Sequence, residues 1–387
     1  MKNCLKRIAA VVLCVFLVAA GGIAGCGVYG TSDSGAYTKG VKALKNGDLD
    51  TAMTEFRTAV DQNSRVAEAY RGEGLVFMKQ GNYESAATVF ERSLSAFRRS
   101  GSGDEDFEED VEYYLAEAYT RSGDIDQAMS IYAELTSGKT PDRAFLLRGM
   151  ANIRNNDIDA AMDDFDHVVA NNPSYENCLK IYEALSGASH KADGADYLKK
   201  CLSSSPESAD DYYYQGLVYN ELGNSDKALD SLNTAMSEGS KDAFAMYAKI
   251  SIDGGKTDQA RKTFNEQLQK GENLAAIYNG LALCDIADQE YDDALDHIQE
   301  GLNQNDEDMT ETLRFNEVVV YERQLDFSTA ESKLKDFLES WPDNAEAKRE
   351  YQFLQTRVSS SEGTSGESSS GDTEEGSESV SSSSLGA

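Results

Sequence analysis

A chain of 387 residues is long enough to bury a large core, as several ordinary domains or as one repeat array. Its 36 basic and 68 acidic residues give a formal net charge of −32, a balance that repels nucleic acid and anionic lipid headgroups and argues against both as binding surfaces. The cysteines are Cys4, Cys14, Cys26, Cys178, Cys201 and Cys284; they form no CxxC pair and no metal-finger spacing, which argues against a zinc site.

Residues 1–7, MKNCLKR, carry three positive charges. An uncharged apolar run from Ile8 to Val18 follows, and then small residues, in the order of a secretory signal. As a helix the uncharged stretch through Cys26 would reach roughly 28 Å, so length alone leaves a membrane span open. Gly21, Gly22 and Gly25 argue against one, because they weaken a helix and leave a slim backbone suited to a protease cleft. The tetrad Ile23-Ala24-Gly25-Cys26 resembles the lipobox of bacterial lipoproteins at all four positions. That resemblance implies lipid on the Cys26 sulfur and cleavage just before it, so that 1–25 is a signal peptide. Two acyl chains would then hold the protein firmly at a membrane. Residues 26–35 read as a flexible tether, polar and glycine-rich. The implied location is extracytoplasmic, on the cell membrane of a monoderm or, since Gly27 is no retention aspartate, on a diderm outer membrane.

From residue 36 the chain repeats. One frame of helix, turn and helix fits nine times, with a small residue in the second helix at Ala52, Ala86, Ala128, Ala161, Gly194, Ala228, Ala260, Ala294 and Ala330. Successive spacings are 34, 42, 33, 33, 34, 32, 34 and 36. Four residues after each stands an apolar one: Phe56, Phe90, Tyr132, Phe165, Leu198, Leu232, Phe264, Ile298 and Leu334. Twelve residues before most of them lies a second small residue, such as Gly40, Gly149 or Gly216. Two antiparallel helices approach closely where both lack bulk, and the apolar side chain fills the wedge beyond. Pro141, Pro173, Pro206 and Pro342 each fall at a seam between repeats, where a helix must stop.

This pattern is similar to the tetratricopeptide repeat family over roughly residues 36–342. The resemblance implies an all-α, right-handed superhelical solenoid of about nine helix pairs, with first helices lining a concave groove. Residues 343–358 read as a capping helix, completing a solenoid over 36–358. Repeat five departs from the pattern, with Tyr182 where a small residue is expected and Gly194 where alanine is expected. The RRSGSGDED segment is an insert before repeat three. From 359 to 387 the chain is rich in Ser, Gly and Glu with no basic residue, a composition expected to stay disordered.

Chemistry is sparse. Gly255-Lys256-Thr257 lacks the earlier glycine of a phosphate loop, and no serine sits in a GxSxG elbow. His167, His190 and His297 have no second histidine at ligand spacing and read as solvated helix or turn residues. The acidic run 103–110 reads as a solvated loop leading into a helix. No cofactor or metal and no enzymatic activity are expected. The repeat frame brings Cys178 and Cys201 together across antiparallel helices, either as a disulfide or as two buried free thiols. Transfer of the family's groove positions gives Arg71, Leu75, Met78, Tyr113, Leu146, Met150, Ile153, Tyr213, Leu217 and Ile286, facing a partner or packed between first helices. Leu75 stands where a carboxylate clamp would need asparagine, so recognition of a free C-terminus is not supported. The leading functional reading is a lipid-anchored adaptor for envelope proteins or peptide segments. The alternative is a lipoprotein that passes a peptide or glycan to a transporter.

Overall fold

The computed structural model describes residues 35–171, 173–342 and 344–364. The signal, Cys26 and most of the tether lie outside this range, as do residues 365–387. Within it the chain is helical, with no strand among the described residues.

The first helix pair is α1 (Ala36–Lys45) with α2 (Leu49–Asp61), and the second is α3 (Val66–Lys79) with α4 (Tyr83–Ser100). Then come α5 (Glu105–Ser122) with α6 (Ile125–Leu135), α7 (Pro141–Arg154) with α8 (Ile158–Asn171), and α9 (Tyr175–Gly187) with α10 (Lys191–Cys201). The last four pairs are α11 (Ala209–Glu221) with α12 (Ser225–Ser237), α13 (Asp242–Asp253) with α14 (Thr257–Leu268), α15 (Leu274–Asp288) with α16 (Tyr291–Leu302), and α17 (Glu307–Arg323) with α18 (Phe327–Ser340). A capping helix, α19 (Ala345–Thr364), packs on α18. It continues six residues past the expected boundary at Val358, since a formed helix propagates through Ser and Glu at little cost.

The wedge geometry follows from the small residues. A Cβ placed on Gly149 would meet the Phe165 ring at 2.5 Å, and one on Gly216 would meet Leu232 at 2.7 Å. Glycine is therefore a steric requirement where the second helix drives its apolar side chain into the first. All nine such side chains, from Phe56 to Leu334, are at most 1% exposed. In repeat five the volumes are exchanged: Tyr182 is buried, and a Cβ on Gly194 would lie 3.1 Å from the Tyr182 backbone. In repeat seven Ala248 replaces glycine and the wedge holds Phe244, Tyr247 and Phe264; Tyr247 and Phe264 meet edge to face at 5.7 Å.

Each first helix ends in a left-handed residue, usually glycine as at Gly81 (φ +73°). An Asp or Asn often follows and caps the second helix. Asn82 accepts from the Ser85 N–H, Asn224 from Lys227 and Asp326 from Thr329. Pro141 occupies the first turn of α7, where its missing N–H is no loss. The insert lengthens α4 and α5 to 18 residues each, with Gly101 ending one and Asp104 capping the other. Apolar clusters straddle neighbouring repeats, as in one that joins α8, α9, α10 and α11. The core is thus a continuous ribbon along the solenoid, built from nearest-neighbour interfaces.

Candidate functional site: the inner wall of first helices

Successive first helices touch one another along the array, as α9 touches α11 and α13 touches α15. They form the shorter, inner side of the solenoid, and side chains at equivalent positions of consecutive first helices line up along it.

The ten expected groove residues divide into two sets. Arg71, Tyr113, Leu146, Tyr213 and Ile286 are buried between neighbouring helices, with little side-chain surface left on the wall. They are long side chains set where adjacent first helices approach, and packing claims them. Leu75, Met78, Met150, Ile153 and Leu217 are half-buried, each with part of its surface open on the inner wall.

In repeats two to four the wall neutralises its own charge. Arg71 Nη1 donates to Asp110 Oδ2 at 2.8 Å, and its guanidinium lies 4.9 Å from the centre of the Phe107 ring. The Arg143 guanidinium sits 4.1 Å from the Tyr113 ring centre. Burial pushes the Asp110 carboxyl up, while Arg71 and Arg143 pull it back. Sequence reading assigned residues 103–110 to a solvated lead-in, and Asp104 does cap α5, but Asp110 is a wall residue on the helix. The Tyr113 hydroxyl donates to the Thr140 carbonyl at 2.9 Å.

In repeats five to seven the same position holds Glu176, Asp210 and Asp242, near the start of α9, α11 and α13. Tyr213 and Tyr214 meet edge to face at 5.3 Å beside them. The Tyr214 hydroxyl is pushed up to about 12 by burial first, then by Glu176, Asp210 and Asp242. Asp242 is open to solvent, yet its carboxyl is raised by desolvation and by Asp210, as a concave wall requires. The Tyr213 hydroxyl is buried without a hydrogen-bond partner.

Repeats seven to nine are tied by buried charge. Arg261 on α14 reaches Asp285 on α15, and also Asp288 and Glu290 at 2.8 Å each. His297 on α16 donates through Nδ1 to Asp285 Oδ2 at 2.6 Å, so it is a half-buried member of a network rather than a freely solvated residue. Only its distance from Asp285 in the chain, 12 residues, hinted at this: positions 12 apart face each other across every helix pair. Lys241 reaches across repeat eight to Asp306 at 2.9 Å and Asp308 at 3.0 Å. His167 is exposed and lies on the Phe145 ring at 3.8 Å, while His190 bonds Asp193 at 2.9 Å.

Cys178 in α9 and Cys201 in α10 are joined by a disulfide with Cα atoms 6.4 Å apart. Cys284 is free and buried, its thiol pushed up to about 12 by desolvation, which makes it a poor nucleophile. Lys256 precedes α14 in an inter-helix turn, not a phosphate cradle. Among the described residues no three His, Cys, Asp or Glu side chains converge as metal ligands, and no helix is long and apolar enough to cross a membrane.

Residues 37–104 and 113–176 match the family profile described as tetratricopeptide repeat. No curated protein matches the chain. Similar solved structures include a tetratricopeptide repeat protein from Parabacteroides merdae ATCC 43184, with 19% identity, 64% of this chain and 97% of that one covered, and a TM-score of 0.36. Yeast Tom70 is 13% identical over 85% of this chain and 84% of its own, with a TM-score of 0.44. The P58(IPK) TPR domain is 16% identical over 84% of this chain and 98% of its own, with a TM-score of 0.25.

Proposed function

We propose that this chain, a helix-pair solenoid with tetratricopeptide repeats in its first half, is a non-enzymatic scaffold that binds protein segments along its inner wall. The carrying observation is the set of half-buried apolar side chains, Leu75, Met78, Met150, Ile153 and Leu217, placed between charged positions on the first helices of repeats two, four and six. A wall of that composition suits an amphipathic or extended segment, read at repeated spacing. The fold is consistent with this role, since a solenoid offers a long surface without a catalytic cleft.

The tetrad ending in Cys26 supports a lipid anchor on an external membrane face, with the solenoid held close to the bilayer. The Cys178–Cys201 bond fits such an oxidising location. Two measurements test the reading. A photo-crosslinking residue at Leu75 or Leu217 should capture a partner in intact membranes, and one at Asp292 on the outer face should not; capture at Asp292 alone would sink the groove. Cys26→Ala should release the protein from membranes and abolish acylation, whereas a variant still membrane-bound would assign the anchor to the apolar run.

A further inference from the structure

Resting on the scaffold reading, we infer that the inner wall of repeats five to seven docks a lysine- or arginine-bearing segment of a partner protein, held at Asp210 and Asp242 beside Tyr213 and Tyr214.

The argument begins with contrast along one register. In repeats two to four the acid of the wall is answered within the protein, Asp110 by Arg71 at 2.8 Å. Among the described residues, neither Asp210 nor Asp242 in repeats six and seven has a side-chain cation or hydrogen-bond donor, and both are exposed on the wall. Nearby lysines are committed elsewhere. Lys241, adjacent in sequence to Asp242, turns to Asp306 and Asp308, and Lys180 pairs with Glu176 at 2.7 Å.

Acids in a first helical turn are often explained by the helix dipole, which favours the charged form. Here that favour loses: desolvation and the neighbouring Asp210 make Asp242 harder to ionise than usual. Two carboxylates left repelling on a concave surface are complementary to an incoming cation.

The second observation is independent of the acids. Tyr213 is 3% exposed and its hydroxyl has no hydrogen-bond partner, although the equivalent Tyr113 hydroxyl donates to Thr140. Asp242 is the carboxylate that bears on that hydroxyl. A buried hydroxyl left without a partner is unfavourable. An ammonium or guanidinium seated at Asp242 donates to its oxygen and completes the site. Leu217, half-buried on the same helix, receives the apolar stem or a neighbouring side chain. Adjacent helices lie about 8–10 Å apart, and an extended chain covers that in about three residues. The segment therefore carries basic residues at short, regular spacing.

The probe is a fluorescein-labelled dodecapeptide of alternating lysine and alanine, with a glutamate–alanine counterpart, followed by fluorescence anisotropy against the full chain after Cys26. The lysine peptide should bind and the glutamate peptide should not. Asp210→Asn with Asp242→Asn should weaken binding at least tenfold, while Asp292→Asn with Asp293→Asn on the outer face, removing the same charge, should change it less than twofold. Tyr213→Phe should weaken binding without lowering the melting temperature. An equal loss in both double variants reduces the effect to net charge and overturns the proposal, as does binding insensitive to Asp210 and Asp242. A photo-crosslinker at Leu217 that captures its partner equally in the wild type and the Asp210/Asp242 variant overturns this inference and leaves the scaffold standing. Failure of capture at both Leu75 and Leu217 removes the scaffold itself.

Discussion

Asp285 accepts from His297 Nδ1 at 2.6 Å while fully buried, and its other oxygen takes Arg261 of the preceding repeat. One carboxylate thus joins α14, α15 and α16. Asp285→Ala removes both bonds at once, while Arg261 keeps Asp288 and Glu290, so it should destabilise by about 2–4 kcal/mol. His297→Ala, which leaves Arg261 in place, should lose about 1–2 kcal/mol. Urea midpoints of the two variants check the order, and an equal effect would mean that Arg261 contributes nothing.

Leu325 ends the first helix of repeat nine in the left-handed conformation (φ +64°) and is 73% exposed. Five other repeats place glycine at this turn, as at Gly81 and Gly223. A non-glycine residue there is strained by roughly 1 kcal/mol and this one buries nothing in return. Leu325→Gly should raise stability by about 1 kcal/mol, read as a higher melting temperature; a fall would place the side chain in a contact that exposure denies.

Glu73 is 6% exposed, and its closest cation, Arg57, stands 3.9 Å away. Burial raises its carboxyl above the ordinary 4.5, and Arg57 and Arg92 offset only part of that. A carboxyl raised in the folded state opposes folding above its folded pKa, and the penalty vanishes below the unfolded value of 4.5. Glu73→Gln should therefore melt higher than wild type at pH 7, with the difference closing as pH falls toward 4.5. A difference that widens on acidification would reverse the assignment.

The Cys178–Cys201 bond closes a 23-residue separation inside repeat five. Loop closure of that size is worth about 3 kcal/mol in the unfolded-state account. Reduction should lower the urea midpoint of the native protein and raise its mass by two hydrogens. Two freely alkylated thiols in unreduced native protein would end the idea.

How far the sequence reaches is visible at particular residues. Ala52 to Ala330 and their partners four residues on marked every helix pair, and the four prolines marked seams. The same reading left Tyr213 and Ile286 either facing a partner or packed between first helices, because register assigns a face but not whether a neighbouring helix covers it. His297 was read as solvated for the same reason: its partner, Asp285, lies across a helix pair on a different helix.

The sequence by itself determined the repeat, its phase, its turns and its seams, since these follow from local sterics: a helix period, a left-handed turn residue, a missing Cβ. Only the tertiary structure decided which first-helix side chains meet their neighbours and which stay open. Lys241 turned away from Asp242 and Tyr213 left without a partner depend on contacts between repeats, where separations of 24 to 67 residues carry no periodic signal.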